Sequence, residues 1–355
     1  MPVIAAFGGV VAPALIFTAI NHGSAAASGW GIPTATDIAF AVGILSILGD
    51  RVPVSLKVFL TALAIADDLI AILVVALFYG GTINFGLLSI AFVLIALVLL
   101  MNKLGEKRGW FYLVPAIAIW SLFYYAGIHS TMSGVVMAFL VPMTPRFNEA
   151  YFHRKRLQYI RRLNEYNGIA STSSEFPNGP QRHCLRRLSA ISRDSIGMSY
   201  RLEHALGPWV NFLIMPIFAL ANAGVEIPDV SYFNVFQFDQ VLGSVSMGIF
   251  LGLVLGKPLG ISLASFIAVK LHVGEMPAKS SWPMLIAVAC LGGIGFTMSI
   301  FVDTLSFGDQ TPEVMARLRD MGKVAVLMGS LFAGILGSVL INIIHGIESR
   351  KAVKA

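Results

Sequence analysis

Charge is what this chain has least of. Only 12% of its 355 residues are Asp, Glu, Lys or Arg, about half of what a soluble domain carries. With 56% hydrophobic residues, this scarcity excludes an ordinary soluble globule and indicates a polytopic membrane protein. Cysteine is also scarce. Cys184 lies in a basic loop and Cys290 in an apolar run, so neither a disulfide framework nor a zinc site is expected. The apolar start has no charged region ahead of it, which argues against a cleaved signal peptide and for a first membrane helix. The net charge of +6 does not call for nucleic acid, because the basic residues cluster between the apolar runs as membrane topology requires.

Ten apolar windows are long or apolar enough to be spans: 1–21, 33–49, 54–79, 86–101, 110–125, 127–142, 204–225, 243–270, 283–306 and 321–346. The connecting segments divide by charge. Asp50-Arg51 with Lys57, Lys103 with Lys107-Arg108, and segments 143–202, 270–279 and 350–354 fall on the basic side. Segments 80–85, 226–239 and 306–320 are neutral or acid-leaning, apart from Arg317 and Arg319. The basic side is therefore expected to be cytoplasmic, with both termini there. Segment 143–202 carries His153-Arg154-Lys155-Arg156, Arg161-Arg162 and Arg186-Arg187. It reads either as a regulatory or lipid-contacting insert or as a tolerated loop whose charge enforces topology. Residues 151–163 are expected to form a basic helix and the Ser/Pro/Gly stretch 171–180 to be disordered.

Two windows are not expected to form uniform helices. In 33–49, Pro33 and Thr34-Ala35-Thr36-Asp37 precede the apolar run, and in 283–306 Gly292-Gly293-Ile294-Gly295 concentrates glycine at mid-membrane. Unwound backbone at that depth needs protein or a wet cavity around it. An interruption in each half points to a transporter site between inverted repeats. Spans 1–3 and spans 8–10 each hold the interrupted helix in the middle and start from opposite sides of the membrane. For Gly292–Gly295 alone, close helix packing is an equal alternative.

The charges inside the spans carry the chemistry. Asp67 and Asp68 are adjacent in the middle of 54–79. One charge at a helix centre costs at least about 2.5–3.5 kcal/mol on insertion scales, and two adjacent acids cost more because each opposes the other's ionisation. Exchangeable cations or protons would offset that cost. Asp37 lies at the expected break, beside the Thr36 hydroxyl, and Lys257 stands in Gly256-Lys257-Pro258 midway along 243–270. A broken helix leaves about half a charge at each exposed end, which an aspartate and a lysine could balance. Taken alone, Asp37 and Lys257 each fit a structural charge pair equally well.

Ala35-Thr36-Asp37-Ile38-Ala39-Phe40-Ala41, Ala64-Ile65-Ala66-Asp67-Asp68-Leu69, Gly256-Lys257-Pro258-Leu259-Gly260 and Gly293-Ile294-Gly295-Phe296-Thr297-Met298-Ser299 resemble motifs of the bacterial NhaA-type sodium/proton antiporters. So do Leu202-Glu203-His204 with Pro208-Trp209, and Ala221-Asn222-Ala223-Gly224-Val225. The resemblance extends over nearly the whole chain outside 143–202. It implies an all-α inverted-repeat transporter, not an enzyme, with two broken helices crossing at the midplane and no cofactor. Residues 1–85 would form the first repeat, 86–225 the interface helices with the insert, 243–347 the second repeat and 348–355 a cytoplasmic tail. The transported ions would be Na⁺ or Li⁺ and H⁺, with Asp67 and Asp68 alternately holding cation and protons and facing the crossing.

By the same resemblance, Thr36 would be a ligand or its neighbour, Asp37 and Lys257 would balance the helix ends, and Lys257 would pair with Asp67 when no cation is bound. Two acids releasing two protons for one sodium would make exchange electrogenic. Glu203, His204 and His129 match positions of a pH-response region, although Gly207 stands where relatives carry a further histidine and an ordinary interfacial or packing role is the better reading of each histidine taken singly. The resemblance also implies a bacterial inner-membrane protein serving pH and sodium homeostasis. The first span looks like the family's third, so two helices and the dimer-contact hairpin are expected to be absent, which leaves a homodimer without that contact. Two other classes share parts of this pattern: a sodium-coupled solute symporter of like architecture, and an intramembrane aspartyl protease, whose two acids must sit on different helices.

Overall fold

A computed structural model describes residues 1–80, 83–106, 108–145, 147–169, 177, 179–222, 224, 243–278, 280–308 and 310–354. Its regular elements are helices, and they fall into two compact units: Met1–Gly80 with Ile214–Ala355, and Gly81–Leu213. The first unit opens with α1 (Pro2–Ile20). A 3-10 helix (Ala25–Thr34) and α2 (Ile38–Ile47) follow, meeting at a 42° bend. The long α3 (Val54–Phe78) completes this half. The interruption in the second span was expected, but the span itself begins earlier than window 33–49. Its first half is Ala-Ala-Ala-Ser-Gly-Trp-Gly-Ile-Pro-Thr. Those small and helix-breaking residues give a weak apolar signal and suit a tight helix better than an α-helix.

The second unit contains α4 (Phe85–Lys103), α5 (Trp110–Tyr125), α6 (Thr131–Leu140), α7 (Glu149–Ile169), α8 (Gly179–Asp194) and α9 (Met198–Trp209). Asn84 caps α4 through Gly86 N and Leu87 N, and its own N–H donates to Ala126 O at 2.9 Å. Gly127 turns the chain between α5 and α6 at a φ of +81°, a conformation glycine adopts without strain. Ala91, Val98, Tyr112, Ile119, Phe123, Met137 and Leu140 form the core of this unit. The basic stretch 151–163 lies within α7, and α8 packs against α7. Most of the Ser/Pro/Gly stretch 171–180 falls outside the described residues, as do Ala223, Val225 and the whole of segment 226–239.

The first unit resumes in the span Met198–Asn222, where a π turn (Val210–Ile214) leads from α9 into α10 (Met215–Asn222). Next come α11 (Val245–Leu251), a π turn (Gly252–Gly256) and α12 (Lys257–Lys270), which together make one span. A second broken span follows, α13 (Trp282–Leu291) and α14 (Phe296–Ser306), bent by 52°. The last helix is α15 (Pro312–Lys354). It extends past window 321–346 at both ends, because charged residues such as Arg319 and Arg350 lower hydropathy without breaking a helix. Six helices long and apolar enough to cross a membrane, two bent pairs and the shorter α5 and α6 occupy the ten apolar windows.

Each half of the first unit thus runs helix, broken span, helix. The two halves meet along α1 and α12, where a Cβ on Gly8 would lie 2.4 Å from Gly260 O and one on Gly260 2.2 Å from Gly8 O. Only glycine at both positions permits that backbone approach, the usual device for helix contact in lipid. Leu56, Leu60 and Leu63 of α3 join one apolar cluster with Leu45, Leu285, Val288 and Leu291. Val75, further along α3, joins another with Phe17, Ile32, Ile249, Leu253 and Phe307. Asp67 and Asp68 fall on α3 between these two sets.

Candidate ion-binding site

The two helix breaks face and bond to each other. Asp37 N donates to Ile294 O at 2.6 Å, and Thr36 Oγ1 donates to Gly292 O at 2.9 Å. Backbone that has left its helix inside an apolar core must find partners, and here each unwound stretch supplies them for the other. Asp37 binds two helix starts. Its Oδ1 accepts from Phe40 N in α2 at 3.2 Å, while its Oδ2 accepts from Thr297 N at 3.0 Å and Thr297 Oγ1 at 2.5 Å. A carboxylate at two helix N-termini meets two partial positive charges. Ser330 of α15 completes the second start, its Oγ accepting from Gly295 N at 3.2 Å and Phe296 N at 3.1 Å.

Asp67 lies directly behind this crossing and is fully buried, as is Lys257. The two form an ion pair through Asp67 Oδ2 and Lys257 Nζ. Thr36 Oγ1 lies 2.5 Å from the same carboxylate oxygen, and Lys257 Nζ lies 2.5 Å from Thr36 Oγ1. The π turn Gly252–Gly256 ends immediately before Lys257. Pro258 lacks an N–H to continue an α-helical ladder, and such π turns recur at functional positions. Asp67 Oδ1 has no hydrogen-bond partner among the described residues, and neither does Asp68 Oδ1, although both atoms are shielded from solvent. Asp68 itself is half-buried.

Charge counting shows what this arrangement can do. Three carboxyl groups, Asp37, Asp67 and Asp68, share one ammonium. Asp37 is satisfied by helix starts and Asp67 by Lys257, so Asp68 and the free Asp67 oxygen are left for a hard cation or for protons. Oxygen atoms of this kind suit a monovalent hard cation. The structure therefore brings together Thr36, Asp37, Asp67 and Lys257 as direct neighbours, with Asp68 adjacent in sequence. Lys257 bonds to Asp67 and Thr36, while the Gly292 carbonyl at the break in span 9 is met by Thr36.

The three residues matched to pH response belong to the other unit. His129 Nδ1 lies 3.1 Å from Thr131 Oγ1. His204 is exposed, its Nδ1 lies 3.1 Å from Tyr200 O and its ring packs on Tyr200 at 3.9 Å between centroids. Glu203 is exposed. Two further side chains that bond at the crossing carry little signal in the sequence: Thr297 lies within the Gly-Ile-Gly-Phe-Thr-Met-Ser motif with no distinguishing feature, and Ser330 is one hydroxyl in an apolar helix.

A family profile described as "Na+/H+ antiporter 1" matches residues 1–341. A protein named Na(+)/H(+) antiporter NhaA from Syntrophobacter fumaroxidans is 40% identical over 338 residues, covering 95% of this chain and 69% of the relative. Another of that name, from Oleidesulfovibrio alaskensis, is 40% identical over 353 residues, covering 99% and 75%. A third, from Acidithiobacillus ferrooxidans, is 42% identical over 337 residues, covering 95% and 74%. Neither a solute symporter nor a protease finds support in these matches. With two broken spans crossing at a buried Asp–Lys pair and a family match over almost its whole length, the chain belongs to the Na+/H+ antiporter 1 family of membrane transporters.

Proposed function

We propose that this chain exchanges Na⁺ (or Li⁺) for protons across the bacterial inner membrane, with both termini in the cytoplasm, and serves pH and sodium homeostasis. The observation that carries this reading is the Asp67–Lys257–Thr36 cluster at the crossing of the two breaks, with Asp68 beside it and short of partners. With no cation bound, Lys257 neutralises Asp67 and a proton neutralises Asp68. An arriving Na⁺ takes oxygens from Asp68, Asp67 and Thr36, displacing the proton and loosening the ammonium. A cation and protons compete for the same oxygens, so the site holds one or the other, which is the requirement for exchange. Asp68 gives up one proton and the Lys257 ammonium, once freed from Asp67, gives up the second. Two protons leaving per sodium move net charge, and the membrane potential then contributes about 2.3 kcal/mol per charge per 100 mV.

Asp37 stays in place through the cycle, because Phe40 N, Thr297 N and Thr297 Oγ1 all hold it. The same bonds argue against a protease, since its two acids must share one water. The test is Na⁺- or Li⁺-induced collapse of the pH gradient in everted vesicles containing the chain, Asp68→Asn or Asp67→Asn. The expected result is collapse with the unaltered chain and none with Asp68→Asn at equal membrane insertion. Equal collapse in all three would remove the carboxyl pair from the mechanism.

A further inference from the structure

Asp303 stands in α14, seven residues beyond Phe296 at the crossing and about 10 Å along the helix at 1.5 Å per residue. It is 0% exposed, and among the described residues neither carboxyl oxygen has a hydrogen-bond partner. Its neighbours along α14, Ile300, Val302 and Phe307, and Leu318 and Ala325 of α15, which packs on α14, belong to one buried apolar cluster. The carboxyl presses on the backbone of α15, since a Cβ at Gly322 would lie 2.1 Å from Asp303 Oδ1. Ser299 and Ser306 share its face of α14 at helical spacing. Ser299 Oγ is also buried without a partner among the described residues, and Ser306 Oγ donates to Val302 O at 2.7 Å.

The charged groups within reach all come from α15: Lys323, Arg319 and Asp320. The other elements packed on α14, the 3-10 helix and α10, carry no titratable side chain. Both cations are engaged elsewhere. Lys323 Nζ donates to Gly224 O at 2.9 Å, Arg319 Nη2 donates to Thr304 O, and no ion pair to Asp303 forms among the described residues. A carboxylate enclosed by apolar groups without hydrogen bond or ion pair is not a stable species, whereas a neutral carboxyl is tolerated.

We propose that Asp303 is a second proton-binding site of the core, loaded in this structure, and that its deprotonation draws the Lys323 ammonium from Gly224 O to the new carboxylate. The proton leaves as hydronium to water, and the negative charge left on Asp303 is met by a cation already present. Proton loss thereby becomes a change of partner for Lys323, from Gly224 O to the Asp303 carboxylate. The proposal rests on the exchange reading for its purpose, not for its chemistry.

Infrared difference spectra of the reconstituted full chain, taken while the pH is raised, test it through the carbonyl stretch of a protonated carboxyl. The expected result is a band present at neutral pH in the unaltered chain and in Asp68→Asn, absent in Asp303→Asn, and lost on alkalinisation. Lys323→Gln is expected to move the band's midpoint upward by about one pH unit, a tenfold change in proton affinity. If Asp303→Asn does not fold, Asp303→Glu, which keeps a carboxyl on a longer stem, is expected to displace the same band. Absence of an Asp303-dependent band, or one that persists at every pH, overturns the site. An unmoved midpoint in Lys323→Gln overturns the role of the lysine. Sodium exchange is measured separately, so an inactive chain with a titrating band defeats the functional reading alone, and an active chain without the band defeats this proposal alone.

Discussion

Lys257 is the residue on which the buried charges depend. Removing one member of a buried ion pair leaves an uncompensated charge, at a cost of about 3–5 kcal/mol. Lys257→Met is therefore expected to lower the unfolding temperature in detergent substantially, and adding Asp67→Asn is expected to recover most of the loss. A double mutant as unstable as the sum of the singles would show that the pair is not coupled. Thr297→Val keeps the N–H that bonds Asp37 but deletes the hydroxyl. A hydrogen bond to a charged group is worth about 1.5–3 kcal/mol, and a denaturant midpoint reduced to that extent is the expected reading. The sign of the pH effect follows from competition. Acidification supplies protons to Asp67 and Asp68, so the apparent KM for Na⁺ should rise by up to about tenfold per competing proton for each pH unit. A KM flat with pH in vesicles would contradict shared oxygens.

At the scale of elements, legibility followed how local the signal was. Asp67-Asp68 stands out because apolar residues flank the pair on both sides, and the glycines of 292–295 mark an interruption in the sequence itself. The 3-10 helix Ala25–Thr34 was missed because its ten residues are neither apolar enough nor regular enough to register as half a span. Ser330 and Asp303 were missed for another reason. What gives each its meaning is a partner dozens of residues away, and no periodicity encodes that. The same holds for the α1–α12 contact, whose glycines lie some 250 residues apart in the chain. A Cβ there meets a carbonyl oxygen and cannot be absorbed by a side-chain rotation. Gly8→Ala and Gly260→Ala are each expected to cost about 1–3 kcal/mol, as overpacking does. Neighbours sharing one contact do not add, so the double variant should lose less than the sum when both are followed by thermal unfolding.

For the whole molecule, the distribution of charge between spans predicts an orientation. Fusions that report cytoplasmic or exported position should place residues near 1, 150 and 355 on one side of the membrane and those near 230 on the other; any of the first three found outside would break the pattern. The bonds joining residues 36–37 to 292–297 carry a further consequence. Besides their contact along α1 and α12, the two halves of the core are fastened together at the crossing beside the candidate ion site. Whatever rearrangement opens the pathway to one side and then the other must either carry that fastening intact or pay to undo it at the occupied site. An exchanger built in this way has little freedom to slip, because returning empty requires rebuilding the neutral, Lys257-paired cluster first. Tight coupling, with few ions lost down their gradient without return, is then a property of where the knot is tied.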